Sequence, residues 1–108
     1  MARGLRERTV RLRQIAHART GDKGDTCNIS LIAFDERDYP RLAERATADR
    51  VKAFFGGMVR GDVTRYELPH LGALNFVMTR ALGGGVTRSL SLDAHGKSLS
   101  SLLLDLEI

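Results

Sequence analysis

The residues equipped for chemistry crowd into one stretch, from His17 to Asn28: His-Ala-Arg-Thr-Gly-Asp-Lys-Gly-Asp-Thr-Cys-Asn. His17 is the candidate for proton transfer, because imidazole is the side chain most often used as a general acid or base. Asp22 and Asp25 supply carboxylates to work with it as acid or base. With Asn28 they also offer hard oxygens to a divalent cation, but dedicated cation sites draw on more ligands, and no metal is assigned. Lys23, flanked within the stretch by Gly21 and Gly24, resembles an anion cradle in which backbone N–H groups and an ammonium receive phosphate or carboxylate. Arg19 adds a second cation. The Gly-x-x-x-x-Gly-Lys-Ser/Thr spacing of a nucleotide P-loop is missing. Gly21 and Gly24 permit positive φ or close approach of backbone to a ligand. Two readings of the stretch stand side by side: a binding loop, or an unusually polar turn. His17 likewise reads as a proton-transfer group or as a hydrogen-bonded structural histidine.

Other candidates lie further along. Gly83-Gly84-Gly85 followed by Arg88 forms a second candidate anion nest, with Gly84 and Arg88 as its binding residues; the plainer reading is three glycines ending a helix. Asn75 and Arg80, at helical spacing, are candidates to face a ligand or a partner chain. Cys27 is the only cysteine, so no internal disulfide forms, and it reads as a small buried residue. His70 and His95 fall in turns, and no pair of histidines has zinc-ligand spacing. No cofactor is expected.

The 108 residues fit one domain. The formal charge of +4 is unevenly spread. Arg3, Arg6, Arg8, Arg11 and Arg13 stand against Glu7 alone, and the rest of the chain carries 12 basic and 12 acidic residues. Nucleic-acid proteins spread cations over a face with aromatics among them, which this chain does not do. No apolar run reaches membrane-spanning length, and the N-terminus lacks the apolar core of a signal peptide. The expectation is a cytoplasmic protein with no nucleic-acid or membrane partner.

Residues 1–9 read as a flexible arginine-rich leader and 10–108 as a single domain. Alternation from Thr9 to Ala18 predicts a strand, followed by the polar loop and a second strand over Thr26–Phe34. Asp38 is placed to cap a helix with Tyr39 and Pro40 in its first turn. Thr47-Ala48-Asp49 marks a break and a new cap, and Gly56-Gly57 a stop, with Phe54 and Phe55 in the core. Gly61–Leu68 predicts a strand ended by Pro69. Leu74, Val77, Met78 and Leu82 predict a second helix over 71–82. Val86–Leu92 alternates as a fourth strand. The tail fits a short helix near 97–103 running into an extended end. This order gives an α+β, ferredoxin-like sandwich: one mainly antiparallel sheet with helices on one face.

Several motifs, in order, carry a resemblance. They are the 17–29 run, Arg60-Gly61-Asp62-Val63, Tyr66-Glu67-Leu68-Pro69, Leu71-Gly72-Ala73-Leu74-Asn75-Phe76, and Ala81-Leu82-Gly83-Gly84-Gly85-Val86 with Arg88-Ser89-Leu90. Together they resemble the ferredoxin-fold domain of the AtuA-like (acyclic terpene utilisation) family across residues 10 to 108. In longer members this domain looks like a C-terminal module behind a much larger one. The resemblance therefore implies a stand-alone version of that module in acyl-CoA or branched-chain catabolism.

Three functions are consistent with these readings. The first is an accessory or regulatory domain docking on a separately encoded large AtuA-type protein and offering the Gly-Asp-Lys-Gly segment to a shared anion or substrate site. The second is a small lyase or hydratase using His17 with Asp22 or Asp25 on a carboxylate or acyl-CoA ligand. The third is a structural homo-oligomer.

Overall fold

The computed structural model describes residues 9–23, 26–81 and 99–108. Its centre is a four-stranded sheet in the order β1-β2-β4-β3, with every pairing antiparallel. The strands are β1 (Ala16–Lys23), β2 (Thr26–Ala33), β3 (Val63–Leu68) and β4 (Ala73–Met78). Helix α1 (Leu12–Ile15) precedes the sheet; α2 (Tyr39–Arg45) and α3 (Ala48–Phe55) join the two hairpins; α4 (Leu99–Leu103) follows. The sheet with its helices is the α+β, ferredoxin-like arrangement expected.

Alternation along the strands decides which face is packed. Cys27, Ile29 and Leu31 of β2 pair with Met78, Phe76 and Leu74 of β4, and all six are buried. They share one core with Leu42 of α2, Val51 and Phe55 of α3, and Leu99 and Leu103 of α4. The helices therefore cover one face, where leucine and aromatic burial contributes about 1.5–3 kcal/mol per side chain. On the other face Ile32, Leu68, Ala73 and Val77 stand outside that core.

Local capping explains the α2–α3 break. Thr47 accepts a hydrogen bond from the backbone N–H of Arg50 at 3.1 Å, starting α3. Gly56, at φ +57°, ends it in a conformation a side chain would resist. Asp35, rather than Asp38, provides the side-chain cap of the preceding 3₁₀ turn (Glu36–Asp38), accepting from the Arg37 N–H. Pro40 occupies the first turn of α2 and Pro69 follows the end of β3. Arg65 Nη1 donates to the carbonyls of Ala43 and Ala46 at 2.6 and 3.1 Å, and so ties β3 to the end of α2.

Four expectations change. The segment 71–82 is not a helix: β4 occupies 73–78, with Leu74, Phe76 and Met78 on the buried parity and Val77 on the other, so the helical stripe through Leu74, Val77 and Met78 is a coincidence of spacing. The segment 9–18 is not one strand. Leu12–Ile15 forms a single helical turn, and Val10 and Leu12 instead hydrogen-bond to Ile108 and Leu106 of the C-terminal end. Phe54 is 38% exposed, set edge-on to Phe55, so only Phe55 belongs to the core. The stretch from His17 to Asn28 is not a long loop: its residues 17–23 and 26–28 are laddered strand. The tail does form a short helix, over Leu99–Leu103, leading to an extended end that bridges Arg11 and Glu107. The expected strand at Val86–Leu92, the turn at 93–97 and residues 1–8 lie outside the described residues.

Candidate functional site

The open face is built by register. Arg19 pairs with Ser30, Ser30 with Asn75, and Asn75 with Tyr66, so these four residues form one row across the whole sheet. Asn75 Nδ2 donates to Ser30 Oγ at 3.0 Å at its centre. The exposed Arg19 and Tyr66 stand at its two ends. The next row toward the hairpin turn is Gly21, Asn28, Val77 and Thr64. A Cβ on Gly21 would lie 3.3 Å from Asn28 Nδ2, so the Asn28 amide rests against the bare glycine. Gly21 therefore serves close approach, and its φ is not positive.

The opposite end of the face is apolar. Its row is His17, Ile32, Ala73 and Leu68. The His17 ring stacks on Phe34, with centroids 5.4 Å apart and planes 17° from parallel. The Ala33 N–H donates to the Gly72 carbonyl at 2.9 Å, joining the chain segments that lead into Phe34 and out of Leu71. Phe34 and Leu71 are 64% and 61% exposed, and Tyr66 54%. Aromatic and arginine side chains on an otherwise uncharged patch match the composition of protein interface cores.

The structure thus brings Arg19, Asn28, Asn75, Gly21 and His17 onto a single face. It does not bring His17 and Asp22 together. They lie five residues apart on one extended strand, about 16 Å at the usual rise, and on opposite parities. Asp22 pairs with Cys27 and Lys23 with Thr26 at the turn end of the hairpin. Asn75 reaches the site from a strand, not a helix, and Arg80 sits in the turn after it at φ +53°. Gly24, Asp25, Gly84, Arg88 and His95 lie outside the described residues. Sequence reasoning passed over Ser30, Phe34, Tyr66 and Leu71. The even parity of β2, with Ser30 interrupting an apolar run, was the available signal for the first.

Electrostatically the face is one-sided. No Asp or Glu occupies its parity on any of the four strands, and Arg19 makes no ion pair among the described residues. Ion pairs lie elsewhere: Arg11 and Arg13 with Asp105, Arg11 with Glu107, Arg37 with Asp35, and Arg65 with Glu67. Hydrogen bonds from Arg37 hold the Asp35 carboxyl below its usual value. Burial pushes the Tyr39 phenol up, with the Glu67 charge adding to it and Arg65 opposing. Neither group belongs to the open face. No cluster of three metal-ligating side chains occurs among the described residues, and none of their helices is long and apolar enough to cross a membrane.

An antiparallel sheet packed by helices on one side, with a polar row and an apolar end on the side that no helix among the described residues covers, defines an α+β domain. The chain belongs to the AtuA ferredoxin-like domain family, whose model matches residues 10–108. No curated protein and no solved structure matches it. The motif Arg60-Gly61-Asp62 has a structural role in this fold. Gly61 N–H donates to the Thr79 carbonyl, Asp62 N–H to Thr79 Oγ1, and Thr79 N–H to the Asp62 carbonyl.

Proposed function

We propose that this chain is an accessory or regulatory domain of acyl-CoA or branched-chain (terpenoid-type) catabolism that docks on a larger catalytic protein. In this reading Gly21, Asp22, Lys23 and Gly24 are offered to an anion or substrate site shared with that partner. The observation that carries it is the gathering of Arg19, Asn28, the Ser30–Asn75 pair and Tyr66 on a face that no helix among the described residues covers. Family membership supports the metabolic setting.

The stand-alone lyase or hydratase loses its His17–Asp22 form, because the strand holds those two residues about 16 Å apart along the backbone; Asp25, its other acid, lies outside the described residues. A homo-oligomer built on this face would leave Arg19 without a counter-charge. The test is co-expression with a large AtuA-type protein, followed by size-exclusion chromatography. Co-elution is expected. A monomer that forms no complex and binds no acyl-CoA would count against the proposal.

A further inference from the structure

Resting on that docking reading, we infer the chemistry of the surface that covers the open face: a protein patch presenting a carboxylate to Arg19 and an aliphatic side chain to the Phe34–Leu71 end. Three observations converge on it. Among the described residues Arg19 makes no ion pair and no acid shares its parity on the four strands, so an acidic surface would complement this face. At its other end two large apolar side chains, Phe34 and Leu71, are more than half exposed, and the bond from the Ala33 N–H to the Gly72 carbonyl joins the segments that carry them. His17 stacks on Phe34 and occupies the same strand two residues before Arg19, about 7 Å away along the backbone. One footprint therefore spans both features.

Other occupants fit less well. Two copies meeting face to face would bring Arg19 toward like charge with no acid to answer it, which disfavours the pairing. A nucleic acid needs several cations for counterion release, and the open parity of the four strands carries two, Arg19 and Lys23, both on β1. A small anion would take Arg19 and leave Phe34 and Leu71 wet. An acidic and aliphatic protein surface satisfies both ends, with the aromatic residues as anchors and the row around Asn75 as the polar surround.

The test uses the intact, isotope-labelled chain and three probes: a Glu-Leu repeat peptide, a Lys-Leu repeat peptide and coenzyme A. The Glu-Leu peptide is expected to shift the amides of His17, Arg19, Ser30, Tyr66 and Asn75. Its affinity should be roughly tenfold or more above that of the Lys-Leu peptide, the size of a single like-charge contact. Arg19→Glu should reverse that preference and Phe34→Ser should weaken both peptides alike, with the amide spectrum otherwise retained because both side chains are exposed. Response to coenzyme A alone, self-association without peptide, contacts from residues 82–98 onto Tyr66 or Asn75, or no shift at millimolar peptide would each overturn the inference. A complex with a large AtuA-type protein that survives Arg19→Glu and Phe34→Ser would overturn it while leaving the docking reading intact. Peptide binding without any such complex would do the reverse.

Discussion

Asn75 and Ser30 are joined by a 3.0 Å hydrogen bond across the two inner strands, at the midpoint of the row from Arg19 to Tyr66. The bond fixes the amide of Asn75 on the open face, where both partners are half-buried. Ser30→Ala should cost about 1 kcal/mol, the ordinary net contribution of one such bond, in urea denaturation. A cost above about 3 kcal/mol would mean that the face is packed and not open.

Gly61→Ala should be far more damaging than its loop position suggests. A Cβ there would fall 2.5 Å from the Thr79 carbonyl oxygen and 2.8 Å from its carbon, so backbone must move. A loss of about 2–3 kcal/mol is expected from the chemical denaturation midpoint. The neighbouring Gly57→Ala, whose Cβ would meet nothing within 4 Å, serves as the control and should change little.

Arg65 separates a structural cation from a surface pair. Its guanidinium caps the carbonyl end of α2 and its side chain is 17% exposed, whereas its partner Glu67 is 55% exposed. Arg65→Met should cost about 2 kcal/mol by removing charged donors from buried carbonyls. Glu67→Gln should cost under about 1 kcal/mol, as solvent-exposed ion pairs do. Equal losses in thermal denaturation would contradict this division.

Much of the architecture was legible because short-range chemistry decided it. Thr47 caps a helix, Gly56 stops one and Pro69 ends a strand wherever the rest of the chain lies. The hairpin at 16–33 was hidden for a physical reason: Ala16, Ala18 and Thr20 fill the core-side parity of β1 with small side chains, which give no alternating hydrophobic signal. Leu74, Val77 and Met78 satisfy a helical stripe, and only pairing on both sides makes them a central strand. The candidate site was readable as residues but not as a surface. Arg19, Asn28 and Asn75 come together through cross-strand register, a long-range property that no local spacing encodes.

Tyr39 sets an alkaline limit. Its phenol has no hydrogen-bond partner among the described residues, and burial holds its pKa above the ordinary 10.0. A group whose folded value is raised stabilises the protein fully below its unfolded value and loses that contribution as pH climbs through the folded one. Stability should therefore fall above pH 10, and Tyr39→Phe should remove that part of the fall. The same variant should gain up to about 1 kcal/mol at neutral pH by deleting an unsatisfied hydroxyl. Denaturation curves at neutral and alkaline pH read both effects.

Docking through the open face is the proposal from which the rest follows. The direct measurement is isothermal titration of a large AtuA-type protein with the wild-type chain and with Arg19→Glu plus Tyr66→Ala, both confirmed folded. A complex with the wild type, weakened at least about tenfold by the double variant, is the expected result. Equal affinity for both, or no complex with either, would contradict it.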